Sequence, residues 1–182
     1  MIVGFVGFKQ VGKSTAAQYL QDKYGFALVN FKTALVREVC TNFPNLIHEI
    51  STIMEKEYWE GKPWTVERLI AEKPPLFRAL LQNYGTEVRR HDNDNYWVSQ
   101  WKVATYKDTN IVVDDVRFLN EAEAVRSRGG ILVRLTRPDL TTGGTHASEV
   151  EQNLIEADYT IDCAKGDKET LYIALDNVIL AA

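Results

Sequence analysis

The chain has only two cysteines, Cys40 and Cys163, far apart and in no paired motif. That excludes a disulfide framework and leaves the expectation of reduced thiols in a cytoplasmic protein. There is no basic excess either: 21 Lys and Arg stand against 25 Asp and Glu, for a net charge of −4. No global field is available to hold nucleic acid. No stretch approaches the ~20 apolar residues needed to span a membrane. Met1-Ile2-Val3 brings no basic flank and its apolar run stops by Lys9, so it does not read as a secretory signal. Internal repeats and low-complexity segments are absent. Neither a nucleic acid nor a membrane is expected as a partner, and the many charges permit a monomer or a homodimer. With 182 residues, 45% hydrophobic and 25% charged, the chain can bury the core of one domain.

Five short apolar runs read as buried strands: Ile2–Val6, Ala27–Phe31, Ile111–Asp115, Ile131–Thr136 and Tyr159–Asp162. They are rich in β-branched residues and lack polar alternation, as strands of a parallel sheet covered on both faces do. Helices are expected over Lys13–Tyr24, Asn120–Ser127 and Asp167–Leu180. The region from Lys32 to Lys107 differs. It carries three or four helical segments broken by Pro44, Pro63, Pro74 and Pro75, and all four tryptophans. The pattern predicts an α/β, three-layer domain with a five-stranded parallel sheet. The core is residues 1–31 and 108–182, with a helical insertion at about 32–107. Such an insertion is expected over the carboxyl ends of the strands, where open parallel sheets bind ligands.

Residues Gly7 to Ser14 read GFKQVGKS. The apolar run before it and the helical run after it supply the strand–loop–helix context of a phosphate-binding loop. Gly7 and Gly12 let consecutive N–H groups point into an anion-sized nest, and the helix N-terminus adds partial positive charge. Lys13 is expected on the β- and γ-phosphates of a bound nucleotide, Ser14 on Mg2+ and Thr15 on a further phosphate oxygen.

Other candidates lie beyond the loop. The strand IVVDD ends in two carboxylates, and an Asp at such a strand end holds Mg2+ or caps the next turn. Arg117 follows, as a clamp on transferring phosphoryl oxygens or a surface partner of Glu121. In LLQNYGTEVRRHDNDNYW, Gly85 interrupts a helical pattern at a cost of ~1 kcal/mol, which points to close approach or a helix break. Arg89 and Arg90 offer bidentate donors to a monophosphate, or form a solvated basic turn. DNDN is a turn with Asp94 as a candidate helix cap. Among the tryptophans, Trp97 is a candidate wall for a base-sized pocket. Residues 137–147, polar with paired glycines, read as a flap. After it, His146 and Glu149 are catalytic candidates, while Ser148-x-x-Glu151 fits a capping box.

GxxxxGKST, LLQxxGTExxR, DDVRFxNEAE and HxSE occur here in that order, from Ile2 to about Asp162. Together they resemble the deoxynucleoside monophosphate kinases of tailed bacteriophages, which have a P-loop kinase fold. The resemblance implies ATP- and Mg2+-dependent phosphorylation of a deoxynucleoside monophosphate. It implies Lys13, Asp115 and Arg117 as catalytic groups, with Ser14 and Asp115 on the metal. It implies Arg134 and Arg137 closing over ATP, and Gln82 and Arg90 at the acceptor or the transferring charge; Thr86, Trp97 and the HxSE glutamate Glu149 are further substrate-binding candidates. One departure stands out: in FKTALVREV, Lys32 and Arg37 fall out of the family's Phe-then-Lys register. The rival readings are another small-molecule P-loop kinase, such as a dephospho-coenzyme A kinase, and a nucleotide-binding switch without transfer.

Overall fold

A computed structural model describes residues 1–107, 109–140 and 150–182. The chain divides into two compact units, residues 1–31 with 98–182, and residues 32–97.

The first unit holds a five-stranded parallel sheet in the order β2-β3-β1-β4-β5. The strands are β1 (Ile2–Val6), β2 (Ala27–Leu28), β3 (Ile111–Val113), β4 (Ile131–Thr136) and β5 (Tyr159–Asp162). Val3 lies opposite Val112 of β3 and Ile131 of β4. Side chains alternate between two buried clusters, as the twofold period of a strand requires. Val3, Phe5, Val112, Val133 and Leu135 join Ala16, Ala17 and Leu20 of α1 (Lys13–Tyr24) and Leu171, Leu175 and Val178 of the C-terminal helix Lys168–Ala181. Ile2, Val6, Ile111, Val113 and Leu132 join Ala122 and Val125 of the helix Leu119–Arg126, together with Val98 and Trp101. The α/β architecture with helices on both faces of a five-stranded parallel sheet is the expected one.

Two strands are shorter than the sequence suggests. Ala27–Phe31 shrinks to Ala27–Leu28 and Ile111–Asp115 to Ile111–Val113. The edge ladder continues only as far as the Val29 N–H, which donates to the Val112 carbonyl at 3.1 Å. Beyond it, side chains take over the bonding. Asn30 pairs with Asp114, and the Phe31 N–H donates to Asp115 Oδ1.

The second unit is helical: α2 (Lys32–Asn42), α3 (Pro44–Glu57), α4 (Val66–Glu72), α5 (Pro75–Gln82) and a π-helical stretch, Asn83–Arg90. That is more segments than the three or four expected. Pro44 and Pro75 each open a helix at the position where a missing N–H costs nothing. The helices α6 (Tyr96–Ala104), α7 (Leu119–Arg126) and α8 (Lys168–Ala181) follow, with a short 3-10 turn at Gln152–Leu154. The second unit's core gathers Val39, Ile50, Met54, Trp64, Leu69, Phe77 and Trp97. No helix among the described residues is long and apolar enough to cross a membrane.

Candidate active site

The loop between β1 and α1 has the backbone its glycines permit. Gly7 sits at φ +143° and Gly12 at +101°, and Gln10 also has positive φ, at 68°. A Cβ on Gly7 would lie 2.4 Å from the Leu135 carbonyl oxygen, so β4 packs where any side chain would stand. Lys13 folds back and donates to the carbonyls of Gly7 and, at 2.7 Å, Phe8. Ser14 is exposed at the start of α1. Its Oγ donates to Asp114 Oδ2 at 2.7 Å.

The carboxylate that meets the loop is thus Asp114, whereas the sequence motif points to Asp115. Strand alternation explains the difference. Val112 packs on the α1 face, and Asp114, two residues on, shares that face. Asp115 follows Ile111 and Val113 to the other face, where its Oδ1 accepts from the Phe31 N–H at 3.1 Å.

Arg117 is exposed and its side chain has no hydrogen bond or ion pair among the described residues. The partnership with Glu121 takes another form. Glu121 Oε2 accepts from the backbone N–H groups of Arg117 and Phe118 at 2.8 and 3.2 Å, capping α7. Arg137 reaches the loop: Nη1 donates to the Gln10 carbonyl at 2.7 Å, while Nε and Nη2 grip Asp139. The Asp139 carboxyl is held below its ordinary pKa, and the Arg137 guanidinium above, by that pairing. Arg134 is engaged differently. Its Nη2 donates to the carbonyls of Gln152 and Ile155, and burial lowers its pKa. Its observed partners are backbone carbonyls of the segment before β5.

Beside the loop lies an open cleft of about 160 Å³. Its lining comes from the loop and α1 (Gln10, Gly12, Thr15), from Arg137, and from residues 163–168 after β5. Sequence reasoning misses the stretch after β5, because nothing in CAKGDK signals a ligand wall. The charged lining of the cleft is Arg137, Lys165 and Lys168 against Asp167, with Arg137 paired to Asp139, so cations outnumber carboxylates on the wall.

In the second unit, Gln82 is exposed, Thr86 half-buried and Arg90 buried. Thr86 and Arg90 lie in the π-helical stretch, a geometry that recurs at functional sites. Of the two readings of Gly85, close approach has a counterpart there, while the helical run continues through it without a break. The helix departs from α geometry, and a Cβ on Gly85 would meet Leu35 Cδ2 at 2.8 Å. Trp97 is 3% exposed and donates its indole N–H to the Gly85 carbonyl at 2.9 Å. That is a core position; the indole has no free face for a base. Arg89 is consumed by Glu38, which also accepts from Tyr84 and Tyr96 hydroxyls at 2.6 and 2.8 Å. These bonds lower the Glu38 pKa against the opposing pull of burial. Asp94 gives its carbonyl to Arg90 at 3.2 Å. Glu149, His146 and most of the expected flap lie outside the described residues.

Among the described residues no three His, Cys, Asp or Glu side chains cluster as a metal cage. Ser14 and Asp114 nonetheless form a hard-oxygen pair beside a phosphate-type loop. That donor set suits Mg2+, which takes one or two protein oxygens and completes its shell with phosphates and water.

No profile of a known protein family matches the chain. The structure of dephospho-CoA kinase from Campylobacter jejuni is similar over 99% of this chain and 96% of that one, with TM-score 0.51 and 13% identity. A shikimate kinase from Bacteroides thetaiotaomicron superposes at TM-score 0.42 and 14% identity, too low to argue from. At such identity the first likeness shows the fold alone, and with the GxxxxGKS loop in place it defines a P-loop kinase fold. A protein of Acanthamoeba polyphaga mimivirus, named "Putative deoxynucleotide monophosphate kinase", is 30% identical over 174 residues, covering 86% of this chain and 84% of its own. The chain belongs to that deoxynucleotide monophosphate kinase family, and it is a kinase.

Proposed function

We propose that the protein transfers the γ-phosphoryl group of ATP to a deoxynucleoside monophosphate, giving the diphosphate and ADP. The observation that carries the reading is the meeting of Ser14 and Asp114 at the GKS loop, in a chain 30% identical to a protein named for that activity.

Phosphoryl transfer asks little covalent chemistry of the protein; alignment and charge neutralisation dominate. Loop N–H groups and the α1 N-terminus receive the β- and γ-phosphates. Lys13 exchanges the Gly7 and Phe8 carbonyls for phosphate oxygens. Ser14 and Asp114 would hold Mg2+. When bound, the metal offsets the charge on the transferring oxygens. Arg137 and the cleft after β5 hold the rest of ATP. Arg117, exposed and unengaged, supplies its guanidinium to the γ-phosphoryl group in transit. The acceptor oxygen is already ionised at neutral pH, so its attack needs no general base; the bond from γ-phosphorus to the ADP oxygen breaks as the new one forms. Gln82, Thr86 and Arg90 bind the acceptor. Trp97 acts by holding Gly85 rather than by stacking on a base.

The test is product analysis with ATP, Mg2+ and a panel of four deoxynucleoside monophosphates, their ribose counterparts and dephospho-coenzyme A. Diphosphates from deoxynucleotides are expected. Product from dephospho-coenzyme A alone would overturn the acceptor assignment. ATP binding without transfer to any acceptor would favour a nucleotide-dependent switch.

A further inference from the structure

Asn30 stands two residues past the end of β2 and is 8% exposed. Its amide forms a reciprocal pair with Asp114, itself 6% exposed. Nδ2 donates to Asp114 Oδ1 at 2.8 Å, and Oδ1 accepts from the Asp114 N–H at 3.0 Å. The carboxylate is therefore divided. Oδ1 is turned to Asn30, and Oδ2 is turned to Ser14. The backbone half of the pair fixes where the end of β3 lies. The side-chain half fixes the rotation of the carboxylate plane.

The residue type matters. The arrangement needs a donor and an acceptor on one planar group, which an amide has and a lysine or arginine lacks. It also needs neutrality. A cation at this place would orient the carboxylate but compete with a metal for its charge. A neutral amide orients it and leaves the charge intact, as supporting partners of metal-binding carboxylates do.

We propose that Asn30 is a positioning residue that aims Asp114 Oδ2 at the magnesium of the ATP complex. This rests on the reading that Asp114 is the metal-side carboxylate. The plain alternative is a stitch that joins the sheet edge past its last ladder bond, and such a stitch would move stability alone.

The test uses the full chain loaded with a non-hydrolysable ATP analogue and titrates Mg2+ by calorimetry, with analogue binding in chelator measured in parallel. Asn30→Ala is expected to weaken Mg2+ about 10–100-fold. Metal-free analogue binding should change by no more than about threefold. In an Asp114→Asn background the same substitution should add nothing, because the amide acts through that carboxylate. A folded Asn30→Ala protein with wild-type Mg2+ affinity, or losses that add in the double variant, overturns the proposal. Should Asn30→Ala not fold, Asn30→Ser retains a smaller polar group, and wild-type Mg2+ affinity in it overturns the proposal equally. The two readings fail separately. If Asp114→Asn alone leaves Mg2+ affinity intact, the metal assignment falls and takes Asn30 with it. If Asp114→Asn weakens Mg2+ and Asn30→Ala does not, only the role of Asn30 falls.

Discussion

Ser14 and Asp114, 100 residues apart in the chain, meet through a 2.7 Å hydrogen bond from Oγ to Oδ2. Asp115, the neighbour that matches the family motif, faces away from this contact and caps the Phe31 N–H instead. Two adjacent carboxylates thus have separable jobs. Asp114→Asn should lower kcat by about 10²-fold or more and raise the Mg2+ requirement. Asp115→Asn exchanges an accepting carboxylate oxygen for an amide oxygen that still accepts from Phe31, so its loss should stay within about tenfold. Steady-state rates against Mg2+ concentration check the ranking. The reverse order would return the metal to Asp115.

Lys13 and Gly7 test the loop in two different ways. Lys13 is half-buried and its ammonium group donates to carbonyls of its own loop, so Lys13→Ala should leave the melting temperature almost unchanged. Transfer should fall by about 10³-fold, the scale of a lost cation on a transferring phosphoryl group. Normal turnover would remove the phosphate role. Gly7→Ala should instead unfold more readily. Its Cβ meets the Leu135 carbonyl oxygen at 2.4 Å and its φ is +143°, so a cost of at least about 1–3 kcal/mol is expected in urea unfolding. An unshifted urea midpoint would show that β4 yields to the methyl group.

The parts of the molecule legible in the sequence differ from the rest for physical reasons. Strand positions and α1 follow from local composition, and β1, β4, β5 and α1 keep their expected bounds. Which face a buried parallel strand presents to which helix is not local. Ile111-Val112-Val113 is apolar throughout, so nothing in it marks Val112 as the residue facing α1, and the choice between Asp114 and Asp115 goes with that face. Once Val112 is known to share the buried cluster of Ala16 and Ala17, alternation puts Asp114 on the side of α1. Asn30 is hidden for a similar reason. Inside the expected strand Ala27–Phe31 it reads as one more ladder residue until its partner across the sheet edge is known. The Glu38 cluster joins side chains 46 to 58 residues apart, and no spacing rule announces it.

Asp176 gives a pH prediction away from the site. It sits on α8 and accepts from Tyr19, Tyr24 and Lys23 of α1, each at 2.7 Å. Lys23 first, then the two tyrosines, hold its pKa down to about 2. A depressed folded pKa means the contact stabilises the fold fully above the unfolded Asp value of ~3.9 and loses that contribution as pH falls towards about 2. Wild type should therefore exceed Asp176→Asn in thermal midpoint at neutral pH, and the gap should begin to close below about pH 4. The cluster is solvent-exposed, so the gap will be a few degrees at most. Thermal scans of both proteins from pH 7 to pH 3 decide it. With the folded pKa near 2 the gap should have fallen to about half by pH 3, and a gap undiminished there would mean the carboxylate charge contributes nothing.

Arg117 and Arg90 are both candidate anion-binding arginines, and burial separates what each removal should do. Arg117 is exposed with no side-chain bond among the described residues, so its guanidinium costs the fold nothing to lose. Arg117→Ala should keep the wild-type melting temperature and, on the proposed contact with the reacting phosphoryl group, lose about 10²–10³ in kcat. Arg90 is 7% exposed and donates to the Asp94 carbonyl at 3.2 Å inside the second unit. Arg90→Ala should lower the melting temperature and also raise the acceptor KM more than the ATP KM. Full turnover by Arg117→Ala would take that arginine out of the reaction. An acceptor KM unchanged in folded Arg90→Ala would make Arg90 a packing residue, and acceptor recognition would then fall to Gln82 and Thr86 on the more accessible part of the same helical stretch.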